Sequence, residues 1–209
     1  IDEVQRGSKS ENHVMTFENA LKIGDFSQAY SQYSMALEED DVTTASLESY
    51  WLTYFENLIR VVPTQTIAIR GESNRELLDL ADDYQNSEAV LFQTSRLFYA
   101  LGNIEDSYNQ LINVSNEALS QDNELSFTAS LFFPKLAESL HRNGYYNAAI
   151  NIMERLIDLD PKYGEAQKAF TSLYSSSTAR KDENFAKALR IIRNDLYPVA
   201  PHLAHNRMV

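Results

Sequence analysis

FPKLAESLHRNGYYNAAINIMERLIDLDP, residues 133–161, is the stretch that decides the fold. Phe133, Leu136, Ala137 and Leu140 recur at steps of three and four, the spacing of one helix face. Gly144 closes that helix, because the left-handed backbone of such a closure disfavours any residue with a Cβ. Tyr146 opens a second helix. Ala149, five residues after the glycine, is small enough to let the two helices approach closely. Met153, nine after it, fills the gap to a neighbouring hairpin. Asp160-Pro161 stops the second helix, since a residue before proline avoids the α region. A hairpin of this kind has an apolar face on two sides and is stable only when stacked.

The pattern returns twice. Gly102-Asn103-Ile104 is followed by Ser107, Leu111 and Val114, with Leu91, Thr94, Ser95 and Phe98 before the glycine. Gly24-Asp25-Phe26 is followed by Ala29, Tyr33 and Ala36-Leu37. Its first helix, with His13, Thr16, Phe17 and Ala20, matches less well. These residues resemble the tetratricopeptide repeat. The resemblance implies a right-handed α-solenoid of antiparallel helix hairpins with irregular repeat lengths. Gly24 and Gly102 stand 78 residues apart, and Gly102 and Gly144 stand 42 apart. Regular repeats of ~34 residues would give about 68 and 34. The excess in the second interval, about eight residues, is roughly two helical turns, which lengthens a helix without turning its apolar face far. The hairpin over 43–83 lacks the glycine junction, and 165–196 reads as a degenerate fourth pair. A generic α–α bundle or another α-solenoid is the competing architecture.

Between these hairpins the same periodicity predicts further helices. Leu47, Trp51, Tyr54, Phe55, Leu58 and Val62 form one face, ended by Pro63. Trp51 reads as core between the first two hairpins. Ser73-Asn74-Arg75-Glu76 has the form of a capping box. Ile104 to Leu119 reads as a single helix. Pro134 must either kink the helix of Leu125 to Leu140 or occupy its first turn. No alternating stretch is long enough to predict a strand. Residues 1–10 read as a disordered or linker N-terminus, 11–197 as one helical-repeat domain, and 198–209, with Pro198 and Pro201, as a flexible tail.

The composition narrows the function. The chain has 209 residues, a formal net charge of −12 and no cysteine. Thiol nucleophiles, disulfides and Cys-ligated metals are excluded. The acidic balance argues against nucleic acid, whose phosphates call for Lys and Arg. No segment approaches the roughly 18–20 apolar residues that span a bilayer. There is no Gly-x-Ser-x-Gly elbow and no glycine-rich phosphate loop. His202 and His205, three apart, would share a helix face, but Pro201 precedes them and no carboxylate stands near. Neither a metal nor a cofactor is expected. Glu38-Glu39-Asp40-Asp41 reads as a solvated turn between hairpins, and Asp79, Asp82 and Asp83 as a wet helix face. Asn113-Val114-Ser115 fits a glycosylation acceptor but falls within the predicted helix.

What remains is binding of another protein or a peptide by a non-catalytic scaffold. In a tetratricopeptide-like stack the first helices line a groove, and there Phe92, Arg96, Tyr99, Glu138, His141 and Arg142 are the candidate contacts, aromatic and Arg side chains being the usual anchors. The Lys/Asn clamp of chaperone-binding relatives is not implied, since its positions hold Val14, Glu18, Phe92 and Arg96. A homo-oligomer is compatible with the same surface. Two alternatives stand beside this one: an accessory arm of a larger protein, which a start at Ile1 without Met suits, and a helical enzyme or small-ligand domain. The last predicts a closed pocket with convergent carboxylates of shifted pKa. The missing Met and the Asn, Ser and Tyr content lean towards a bacterial cell envelope, with cytoplasm as the alternative.

Overall fold

One backbone closure ends three helices. At Gly24 the N–H of Gly24 donates to Leu21 O and that of Asp25 to Ala20 O; the pattern repeats as Gly102 to Tyr99 with Asn103 to Phe98, and as Gly144 to His141 with Tyr145 to Leu140. The three glycines have φ of 77°, 84° and 85°. Each therefore sits in the left-handed region, and the paired bonds satisfy carbonyls that a helix end leaves open. The structure is a computed structural model; it describes residues 2–61, 72–159, 186–188, 190, 191, 193 and 194.

Among these residues the regular elements are all helical: α1 (Asp2–Ile23), α2 (Phe26–Leu37), α3 (Thr44–Val61), α4 (Glu72–Asp83), α5 (Glu88–Ala100), α6 (Ile104–Leu111), α7 (Asn116–Gln121), α8 (Asn123–Arg142) and α9 (Tyr146–Leu159). The fold class is all-α, built of helix hairpins, as the periodicity predicts. The chain divides into two compact units, Ile1–Val114 and Ser115–Val209, where the sequence suggests one continuous domain. Pro161, the predicted fourth pair at 165–196 and the tail at 198–209 fall wholly or largely outside the described residues.

In the first unit α1 pairs with α2 and α5 with α6. α3 packs on α1 and on α5, while α4 packs on α2 and on α5. First helices thus stack on first helices and second on second, the layering that lets each hairpin bury two apolar sides. Trp51 is the centre of this core: it is fully buried, with the rings of Phe17, Phe26, Tyr33, Phe55 and Tyr54 at 5.0, 5.6, 5.5, 5.7 and 6.1 Å. The small residue five after each glycine is where the helices meet. Ala29, Ser107 and Ala149 are all fully buried, and so are Tyr33, Leu111 and Met153, which follow them. At the α5–α6 contact the Ser95 hydroxyl donates to Ser107 O at 2.8 Å. The two helices therefore come close enough to share a hydrogen bond across their axes.

Two predicted elements need correction, and two others are made more specific. Residues 2–10 are not a linker but the first turns of α1. Long-range contacts are made at the end of this stretch: Lys9 pairs with Glu39 at 2.5 Å, and the Ser10 hydroxyl donates to Asp41 at 2.8 Å. The run Glu38 to Asp41 is a turn, but a tied one and not merely a solvated one. The predicted helix from Ile104 to Leu119 is broken: α6 stops at Leu111, and Ser115 caps α7 by accepting from Ala118 N at 3.1 Å. A serine that bonds a backbone donor three residues on offers the chain a helix start in place of a continuation. The Asn113 triplet consequently lies in the turn between α6 and α7, with Asn113 exposed and Val114 buried. Of the two places left open to Pro134, it takes the interior of α8; the first turn is capped by Asp122, which accepts from Glu124 N and Leu125 N.

Candidate partner-binding surfaces

The six predicted contacts fall three in each unit. In the first unit α5 carries Phe92, Arg96 and Tyr99. Val90 to Ser95 and Leu97 to Phe98 are all buried, because α3, α4 and α6 pack on this helix from different sides. A helix so surrounded has no wide open face. Phe92 is fully buried and does not project into a groove. It serves instead as the floor beneath Arg96, whose guanidinium lies 5.8 Å from its ring centroid. Arg96 Nη1 donates to Gln93 Oε1 at 2.5 Å. Arg96 and Tyr99 are half-buried and reach the surface over that floor.

In the second unit α8 carries Glu138, His141 and Arg142. Glu138 and Arg142 are exposed and bond each other at 2.5 Å, one helical turn apart. A pair of this kind contributes about 0.3–0.5 kcal/mol to the helix and leaves both charges in water. His141 is half-buried, its ring edge-on to Tyr146 with centroids 5.0 Å apart. The apolar members of the same helix, Ala129, Phe132, Phe133, Leu136, Ala137 and Leu140, are buried against α9 and α7. Arg155 of α9 lies over Phe133, 5.6 Å from the ring centroid, and its carbonyl accepts from Asn116 Nδ2 at 3.1 Å.

Periodicity alone missed two residues of α8. Phe127 is 65% exposed and Leu131 46% exposed. Both belong to the helical run Leu125 to Leu140. Their phase is the clue: they lie four apart, out of step with the buried set.

The buried polar groups were equally invisible in the sequence. Trp51 Nε1 and Tyr54 Oη are buried without a hydrogen bond among the described residues. Burial pushes the Tyr33 and Tyr54 hydroxyls well above the ordinary tyrosine value. Asp83 is held above the usual carboxylate range, first by partial desolvation and then by Asp79 and Asp82, while the Tyr33 hydroxyl pulls it the other way. Among the described residues no three His, Asp or Glu side chains are grouped to hold a metal ion. No helix among them is long and apolar enough to cross a membrane. His202 and His205 lie outside the described residues.

Neither a family model nor a curated protein matches the chain. Solved structures do resemble it. The crystal structure of MamA protein aligns over 91% of this chain and 97% of that one, at 16% identity and a TM-score of 0.47. The likeness is loose and says nothing of function.

Proposed function

We propose that this chain is a non-catalytic protein-interaction module, a helical-repeat scaffold that binds another protein or a peptide. The observation that supports it best is the recurrence of one hairpin closure at Gly24, Gly102 and Gly144, each followed by a fully buried small residue. Stacked hairpins present side chains from successive helices on a preformed frame, so little ordering cost falls on binding. Arg96 and Tyr99 in the first unit, and Glu138, His141 and Arg142 in the second, are the proposed contacts. Phe92 contributes by supporting Arg96. The net charge of −12 favours a partner surface that is basic or neutral, since an acidic one would be repelled.

Affinity capture from the source organism, followed by titration of the captured protein, tests this. Arg96→Glu and Arg142→Glu should each weaken binding by about tenfold or more, as anchor positions do. Circular dichroism on each variant separates lost contacts from lost fold. Full-strength binding by both folded variants would contradict the assignment.

A further inference from the structure

Of the glycine closures at Gly24, Gly102 and Gly144, only the last carries a chemically reactive pair. Ile23 precedes Gly24 and Leu101 precedes Gly102, but Asn143 precedes Gly144, and no other asparagine in the chain is followed by glycine. The side-chain amide of an asparagine is an acyl group that the backbone nitrogen of the next residue can attack by closing a five-membered ring. Glycine offers the least hindered nitrogen for this attack, because it has no Cβ. Asn143 and Gly144 are both exposed, and a Cβ added at Gly144 would meet no atom within 4 Å. Water therefore reaches the pair.

The folded closure holds the reacting atoms apart. Asn143 has φ −88° and ψ 5°. Ring closure needs Gly144 N to eclipse Asn143 Cβ about the Cα–C bond. At this ψ it eclipses Asn143 N instead, roughly a third of a turn away. Hydrogen bonds fix the arrangement. The Gly144 N–H donates to His141 O at 3.0 Å, and the Tyr145 N–H to Leu140 O at 2.9 Å. Asn143 Nδ2, the nitrogen that must leave, donates to Ser139 O at 2.8 Å. Turning Asn143 into the reactive geometry swings the Gly144 peptide and breaks the first two bonds, so the reaction needs the hairpin closure to open.

We propose that Asn143-Gly144 is a spontaneous deamidation site, restrained by the α8–α9 closure, whose isoaspartyl product cannot rebuild that closure. Gly144 N bonds to Asn143 Cγ and gives up its proton. The Cγ–Nδ2 bond breaks, and the side-chain nitrogen leaves with that proton as ammonia. Water then opens the cyclic imide. Attack at the Asn143 main-chain carbonyl carbon gives isoaspartate, with the chain running through Cβ and Cγ. Attack at Cγ gives aspartate. Isoaspartate lengthens the main chain by one atom, which carries the N–H groups of Gly144 and Tyr145 out of register with His141 O and Leu140 O. Aspartate puts a negative charge at the end of α8, where the helix dipole opposes it. The modification thus records that the hairpin of the second unit has opened. This inference does not rest on the partner contacts proposed above.

Incubation of the full chain at neutral pH, folded and in guanidinium, followed by peptide mapping with mass spectrometry, reads position and rate together. The denatured chain should react first at Asn143. The folded chain should react there about tenfold more slowly or less, since a reaction confined to the open form scales with the open fraction. Met153→Ala empties a fully buried site on α9 and leaves the reacting pair untouched. It should raise the folded rate about tenfold or more and leave the denatured rate unchanged. If that variant does not fold, its rate in native buffer should equal its rate in guanidinium, the same expectation at its limit. The purified isoaspartyl chain should unfold at a lower denaturant concentration than the unmodified one. A wild type that reacts as fast folded as denatured overturns the proposal. So does a Met153→Ala chain that is destabilised yet reacts no faster, or an isoaspartyl chain as stable as the unmodified one.

Discussion

The α5–α6 and α8–α9 hairpins close on glycine in the same way and part company one turn later. At Gly102 and Gly144 the hydrogen bonds and the positive φ are equivalent. Yet α5 is buried over nearly its whole length, polar Gln93, Thr94 and Ser95 included, while α8 keeps a row of exposed residues from Glu124 to Arg142. Among the described residues the difference lies in neighbours. α3 and α4 join α6 in covering α5, whereas the described helices packed on α8 are α7 and α9. A repeat code therefore dictates the hairpin, and the packing around each hairpin dictates which helix is left to meet a partner.

The largest test of this contrast sets a core ring against an exposed one. Trp51→Ala should destabilise the first unit by about 3–5 kcal/mol, the usual cost of emptying a buried aromatic site. Phe127→Ala, at a side chain already in water, should stay within about 0.5 kcal/mol. Denaturant unfolding followed by circular dichroism reads both. Trp51→Phe should cost less than Trp51→Ala, since it retains much of the volume and removes an indole N–H that is buried without a partner.

The next effect probes what the two hairpins share. Gly102→Ala and Gly144→Ala should each cost about 1–2 kcal/mol, the penalty of a left-handed backbone for a residue with a Cβ. At neither position would an added Cβ meet any atom within 4 Å, so the cost is conformational and should be alike in both. Clearly unequal thermal shifts would mean that the closures are not equivalent. Ser115→Ala should cost about 1 kcal/mol through loss of the α7 cap, again by denaturant unfolding.

The smallest effect is a dependence on pH. Asp83 is held above its ordinary value in the folded chain, so the folded state keeps that proton more tightly than the unfolded chain does. Its contribution to stability is present at acid pH and is lost as pH rises through the raised folded value. Asp83→Asn should flatten the stability profile in that window, measured by chemical denaturation at a series of pH values.

The parts of the fold that were legible in the sequence are those made by local bonds. A glycine, a small residue five later and a large apolar one nine later describe a hairpin within one short window, and Gly24, Gly102 and Gly144 all sit where that window places them. Trp51 was legible as core because its neighbours on the helix, Leu47, Tyr54 and Phe55, keep its phase. The rest depends on distant partners. Residues 2–10 show no apolar period, and they join α1 with help from Glu39 and Asp41, some thirty residues away. Ser115 looks like any residue of a helical run until its hydroxyl caps α7. Phe92 and Phe127 are both aromatic residues on first helices, and only the helices packed around them make one buried and the other exposed. Of the six predicted contacts, Phe92 fails for that reason.

An experimental structure of the full chain tests the central claim most directly: that glycine-closed helix hairpins of one design build this protein. It should show positive φ at Gly24, Gly102 and Gly144, with the N–H of each following residue bonded to the carbonyl five positions back. A strand-rich core, or an extended backbone at those glycines, would contradict it.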